Sequence, residues 1–216
     1  MTGHTADRAD GGATRGDERG AALLLALGAT ALLSAIALGL ALMSTEELRI
    51  AQNYRDGVET FYAADAAIER AAQDLAGIPN WSAVLSGATR SSFADATHHP
   101  ILPSRDTIDL DAVTSQLQTD ANAASLGANT PVWTLFAWGL LSQMTALDPS
   151  ATRSYVAVWI ADDTAETDGR PTVDANNTVA LHAEAYGAGH AKRVVEATIA
   201  RAGGSGITII SWRQIR

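Results

Sequence analysis

The chain has 216 residues, a formal net charge of −9 and no cysteine. This length holds one ordinary domain with room for an appendage. The acidic balance argues against nucleic acid as a partner, because binding phosphates requires a basic surface. The lack of cysteine excludes disulfides, thiolate metal sites and a cysteine nucleophile, so a folded part outside the cell would hold together by packing.

The first predicted element is a transmembrane helix at residues 21–43, directly after a hydrophilic leader at residues 1–20. These 23 residues are apolar but for two hydroxyl side chains, and as a helix they span roughly 34 Å, close to the thickness of a hydrocarbon core. A cleavable secretory signal is one alternative, but it has a shorter apolar region, and the small-residue pair Ala37-x-Gly39 lies inside this run. A buried core helix is another, but it needs a large protein around it.

The helical period continues after the membrane segment and predicts an amphipathic helix at residues 44–77. Charged residues occupy the opposite face, no proline occurs before Pro79, and Gly77 stands where a helix commonly ends. One helix of more than fifty residues is therefore expected. Its apolar stripe recurs at steps of mostly three or four and comprises Leu48, Ile50, Tyr54, Val58, Phe61, Ile68, Ala72 and Leu75.

Residues 78–150 are predicted to form an irregular connecting region. Ser86–Pro103 is typical of a loop, and Asp109–Leu126 contains a short helix. The apolar run at 130–141 is either a buried strand or a helical turn, since periodicity does not distinguish them.

Residues 151–216 are predicted to form an antiparallel sheet. Thr178–Tyr186 alternates in polarity, and Gly187–His190 is a turn into the next strand. Four strands joined by hairpins can lay one face on the long helix, which gives an α+β fold. The predicted strands are Tyr155–Ala161, Thr178–Tyr186, Val194–Arg201 and Ile207–Trp212.

Two quoted segments resemble a known family. Residues 19–27, RGAALLLAL, and residues 43–71, MSTEELRIAQNYRDGVETFYAADAAIERA, resemble the N-terminal region of type IV pilins and pseudopilins. The resemblance is closest to minor pilins of the PilX type. It implies a pilin-like fold, in which the long N-terminal helix packs on the C-terminal sheet.

The resemblance also implies a processing site and a location. A prepilin peptidase would cleave after Gly20 and methylate the new amino terminus of Ala21. The protein would span the inner membrane once, with its C-terminal domain outside the cytoplasm, and then enter a pilus at the cell surface. Its partners would be other pilins or minor pilins, contacted through the N-terminal helix.

One residue departs from the pattern of the major pilins. Their fifth mature position is a glutamate that pairs with the amino terminus of a neighbouring subunit, whereas this chain has Leu25. The departure implies a role in priming the fibre or at its tip.

The predicted function is a minor pilin acting in type IV pilus assembly, and no enzyme activity is expected. Two alternatives stay open: a minor pseudopilin of a type II secretion system, and a signal-anchored extracytoplasmic binding domain. The chain has no Gly-x-Ser-x-Gly, phosphate loop, HExxH or dinucleotide motif.

An acidic loop between two predicted strands is the remaining polar feature. Its oxygen-rich residue types suit calcium, which takes six to eight oxygen ligands, but the spacing does not match an EF-hand. The alternative is a solvated acidic hairpin, and no other cofactor is expected. The candidate calcium ligands are Asp162, Asp163, Asp168 and Asp174, accompanied in the loop by Glu166, Asn176 and Asn177.

Overall fold

A computed structural model describes residues 15–124, 129–144, 153–203 and 206–215, with side chains from Gly20 onward. The chain forms two compact units, Met1–Ala51 and Gln52–Arg216. The first helix, α1, covers Arg15–Ala76 and contributes to both units. The predicted long helix is confirmed and ends one residue before Gly77.

The part of α1 in the first unit exposes its whole surface. Every residue from Gly20 to Ala51 is exposed, and its leucines are exposed by 61 to 74%. This is the one helix in the described residues that is long and apolar enough to cross a membrane. A helix that is apolar all round requires an apolar environment supplied from outside the chain.

The part of α1 in the second unit buries a face that is rich in alanine. Ala64, Ala67, Ile68 and Leu75 are fully buried. These alanines belong to the same core as the apolar residues of the strands, and small side chains let a helix pack closely. The larger residues at the start of the predicted stripe are exposed: Leu48, Ile50, Tyr54 and Val58.

The second unit contains a five-stranded antiparallel sheet in which neighbours in the chain are neighbours in the sheet. In this order each strand pairs with the next one along the chain, and no connection has to cross the sheet. The α+β fold is confirmed, and the apolar run at 130–141 supplies an additional strand, β1. The strands are β1 Thr134–Leu140, β2 Tyr155–Asp162, β3 Thr178–Tyr186, β4 Lys192–Arg201 and β5 Ile207–Ile215.

The sheet is covered on both faces. Alternate residues of β2, such as Val158, belong to the core shared with α1, while Trp159 and its alternate neighbours face the other side. There another helix, α3 (Leu110–Ala124), packs on the sheet, and Trp159 Nε1 donates a hydrogen bond to Thr114 Oγ1 at 2.7 Å. The sequence pattern predicted packing of the long helix on one face of the sheet and no helix on the other face. The remaining helices are α2 Ser82–Leu85, α3 Leu110–Ala124 and α4 Leu141–Met144; the predicted end of α3 at Leu126 lies outside the described residues.

The predicted turn at Gly187–His190 is confirmed as a single 3-10 turn between β3 and β4. Gly189 has a φ of 59°, a conformation that glycine adopts without steric cost. A Cβ atom at Gly187 would lie 2.1 Å from Thr60 Oγ1. Glycine at that position therefore permits α1 to approach the end of β3.

Candidate functional site

The predicted processing junction lies within α1. Gly20 and Ala21 are helical and exposed, and no atom lies within 4 Å of a Cβ placed at Gly20. Glycine costs a helix about 1 kcal/mol relative to alanine, so the helix opens more readily at the peptide bond between Gly20 and Ala21. Residues 1–14 of the predicted leader lie outside the described residues. Cleavage after Gly20 and methylation of Ala21 stay predictions.

The acidic loop, residues 163–177, connects β2 to β3 and is folded back by its own side chains. Asp168 Oδ1 accepts a hydrogen bond from the backbone N–H of Arg170 at 2.9 Å, next to Gly169, whose φ is 70°. Asp174 Oδ1 accepts one from the backbone N–H of Asn177 at 2.7 Å. Such side-chain-to-backbone bonds are the usual way in which Asp stabilises turns.

Three carboxylates converge where the loop leaves β2. One oxygen atom each from Asp162, Glu166 and Asp174 lies within 4.8 Å of the other two. Asp162 is 1% exposed and Glu166 is 8% exposed. We call these three residues, together with Asn129, the acidic pocket.

Asn129 reaches the acidic pocket from the segment that precedes β1. It is 1% exposed, and its Nδ2 donates a hydrogen bond to Asp162 Oδ2 at 2.9 Å. Its Oδ1 is buried and accepts no hydrogen bond within the described structure, and the same holds for Glu166 Oε2. Two buried acceptor atoms of the acidic pocket, one amide oxygen and one carboxylate oxygen, thus lack a donor in the described structure.

Burial and the nearby charge of Glu166 raise the pKa values of two carboxyl groups in the acidic pocket, those of Asp162 and Asp174. Burial, and then the charge of Glu166, raises the pKa of Asp162 to about 7. Burial also raises the pKa of Asp174, with a further contribution from Glu166. By contrast, the hydrogen bond from the backbone N–H of Arg170 lowers the pKa of Asp168.

The structure places two of the four candidate calcium ligands in the acidic pocket, namely Asp162 and Asp174. Asp163 instead accepts hydrogen bonds from Asn176 Nδ2 at 2.8 Å and from a backbone N–H. Asp168 pairs with Arg170, with Nε and Oδ2 3.1 Å apart. Glu166 was visible in the loop, but Asn129 lies 33 residues before Asp162, and no local pattern links the two.

A second buried cluster of charged groups lies on the face of the sheet that α3 covers; we call it the histidine network. His182 is 5% exposed and lies between two carboxylates, with Nδ1 3.0 Å from Glu196 Oε1 and Nε2 3.2 Å from Glu184 Oε1. Lys192 Nζ lies 2.8 Å from Glu184 Oε2 and Arg213 Nη2 lies 2.6 Å from Glu196 Oε2.

The geometry of the histidine network favours a charged imidazole. A neutral ring donates from one nitrogen only, whereas both nitrogens of His182 face carboxylate oxygens. Burial lowers the pKa of His182, but the hydrogen bonds to Glu184 and Glu196 outweigh it and raise that pKa. Burial raises the pKa of Glu184, but hydrogen bonds from His182, Lys192 and Tyr186 lower it to about 2.

The comparison with known families identifies the N-terminal part of the chain. Residues 19–69, about a quarter of the chain, match the family model described as PilX N-terminal. The match begins at Arg19 and continues through most of α1. No curated protein and no solved structure matches the chain.

Residues 19–69 are therefore similar to the N-terminal region of the PilX-type minor pilins, a family of structural, non-enzymatic proteins related to type IV pili. Its apolar N-terminal helix fits the membrane anchoring of such a pilin. Pilins of this family interact with other pilus components.

Proposed function

We propose that this protein is a minor pilin that acts in the assembly of a type IV pilus, in priming or at the tip. The observation that carries the proposal is the match to the PilX N-terminal family, which starts at Arg19 and covers the processing junction, the apolar part of α1 and part of its buried continuation. The fully exposed surface of residues 20–51 supports it, because that surface needs lipid or neighbouring helices to cover it.

The proposed maturation has three steps. Prepilin peptidase cleaves between Gly20 and Ala21, and Ala21 is methylated as the new terminus. The mature helix stays in the inner membrane, with residues 44–216 outside the cytoplasm. It then enters a pilus by packing against the helices of other pilins, for which the small residues Ala22, Ala26, Thr30 and Ser34 at four-residue spacing are suited.

Leu25 supports a low copy number. It is 74% exposed on the apolar part of α1 and carries no charge. A carboxylate in lipid costs a few kcal/mol unless it has a partner, and a subunit with leucine there has no such group to pair with the amino terminus of its neighbour. A repeating subunit would lack that contact at every step, whereas a priming or tip subunit is used once.

Mass spectrometry of the membrane-extracted protein tests the processing step. In cells with an active prepilin peptidase we expect Ala21 as the terminus, with one methyl group. Gly20→Val places a branched side chain beside the scissile bond, and we expect this variant to keep its leader. Gly39→Ala is the matched control, since a Cβ there also meets no atom within 4 Å, and it should be processed normally. An intact leader in the parent chain would contradict the proposal.

Gene deletion tests the role of the mature protein. We expect loss of surface pili, rescued by the parent gene, with far fewer copies of this protein than of the major pilin in purified fibres. Normal pili together with failed protein secretion would instead support a type II secretion pseudopilin. Normal pili and normal secretion would favour a signal-anchored binding domain.

A further inference from the structure

No cationic side chain in the described part of the chain pairs with the carboxylates of the acidic pocket. Within the described residues, no Lys, Arg or His nitrogen lies within 4.0 Å of a carboxylate oxygen of Asp162, Glu166 or Asp174. The one cationic side chain paired within the loop, Arg170, contacts Asp168. Burying unpaired carboxylates is costly, so such a cluster is stable when a cation joins it.

The unpartnered oxygens provide an independent indication of a ligand. Glu166 Oε2 and Asn129 Oδ1 are buried acceptors with no donor in the described structure, although more than nine-tenths of each residue is buried. Buried polar atoms in proteins are nearly always satisfied. Water could donate to both, but water would leave the charge of the three carboxylates unchanged.

The other oxygens of the acidic pocket are held in place by the backbone. Glu166 Oε1 accepts hydrogen bonds from the N–H groups of Ala175 and Asn176 at 2.9 and 2.7 Å. Asp174 Oδ1 is held by the N–H of Asn177 at 2.7 Å. These bonds hold Glu166 and Asp174 through one oxygen each, and Glu166 Oε2 is left without a donor in the described structure.

The donor set selects the type of ion. All of the groups are oxygen donors, and no histidine or cysteine takes part, which disfavours zinc. Two oxygens on opposite sides of one calcium ion are about 4.8 Å apart, because calcium–oxygen bonds are about 2.4 Å long. The three carboxylate oxygens lie within that separation. Magnesium requires shorter bonds and a regular octahedron, which an irregular set on a loop does not offer.

We propose that Asp162, Glu166, Asp174 and Asn129 bind a single calcium ion, with water completing its coordination. The ion would join the β2–β3 loop to the segment before β1, in a chain that has no disulfide to do so. This proposal is independent of the role in the pilus, because it concerns residues outside the segment matched by the PilX N-terminal family.

Equilibrium dialysis of the full chain in detergent, stripped with chelator, tests the site. With radioactive calcium we expect one ion per chain, retained in a tenfold excess of magnesium. Glu166→Gln and Asp174→Asn should each weaken calcium binding at least tenfold. Glu69→Gln is the control: it removes one negative charge at an exposed position of α1, outside the acidic loop, and should change the affinity less than threefold.

Thermal unfolding provides the second readout. Calcium at a hundred times its dissociation constant should raise the midpoint of the parent chain by about 5 to 10 °C relative to chelator. The increase should disappear in Glu166→Gln at the same calcium concentration. The proposal is overturned if the parent chain binds no calcium at 1 mM, or if Glu166→Gln and Glu69→Gln bind it equally.

Discussion

The acidic pocket and the histidine network bury the same chemical group in opposite ways. In the histidine network, Glu184 and Glu196 each have cationic partners, supplied by His182, Lys192 and Arg213. In the acidic pocket, three carboxylates converge with no cationic side chain in the described structure within salt-bridge distance. The first cluster is complete within the chain, so its carboxylates stabilise the fold. The second has no such partners among the described residues, so its carboxylates oppose folding unless a cation joins them, as the proposed calcium ion would.

The largest expected effect is loss of a carboxylate from the histidine network. Glu184→Gln removes the charge that faces His182 and Lys192 and leaves a buried imidazole with one anionic partner. Breaking a buried ion pair of this kind costs about 3 kcal/mol, which lowers the thermal midpoint by about 6 to 12 °C. Differential scanning calorimetry of the full chain in detergent measures this. Glu69→Gln, at an exposed position of α1, should change the midpoint little. An equal drop in midpoint for Glu69→Gln and Glu184→Gln would contradict a stabilising role for the ion pairs of Glu184.

The same substitution in the acidic pocket should have the opposite sign. Without calcium, Glu166→Gln removes repulsion with Asp162 and Asp174, and its amide can donate to either of them. We expect the chelated variant to be more stable than the chelated parent by about 1 to 2 kcal/mol. Urea unfolding in chelator measures the difference. If Glu166→Gln destabilises the chelated protein as Glu184→Gln does, the carboxylates of the acidic pocket stabilise the fold like those of the histidine network.

Most of the fold followed from local patterns. The apolar run at 21–43 and the alternation along β3 are properties of neighbouring residues, so periodicity locates the helix and the C-terminal strands. The second cover of the sheet did not follow, because α3 packs on it through contacts distant in the chain, such as Trp159 with Thr114. The buried face of α1 was also missed in part, because alanines carry little weight in a hydrophobic pattern.

The residues of the two sites were predictable only where they lie close together in the sequence. Asp162 and Asp174 could be proposed because both fall within one short acidic stretch of the sequence. Asn129 could not, since only the fold brings it to Asp162. His182 and Glu184 alternate with apolar residues of β3, a pattern that favours a solvent-facing side, yet both are buried. Their burial depends on the neighbouring strand and on the helix above it.

The smallest expected effect is a pH dependence that belongs to the histidine network. Folding raises the pKa of His182, so its contribution to stability is fully present below the unfolded value of about 6.5 and is lost as the pH rises through the folded value. Folding lowers the pKa of Glu184 to about 2, so its contribution is present above the unfolded value and is lost as the pH falls toward 2. The network therefore stabilises the fold most between about pH 4.5 and 6.5.

Comparison of the parent chain with His182→Gln isolates this effect. The groups facing His182 are Glu184 and Glu196, with the rings of Trp133 and Trp159 nearby, and they are common to both chains. The raised pKa of Asp162 is also common to both when chelator is present, so its contribution cancels. We expect the parent chain to exceed the variant in thermal midpoint by more at pH 5.5 than at pH 8.5. An unchanged difference between these two pH values would mean that His182 is not a charged partner of the two glutamates.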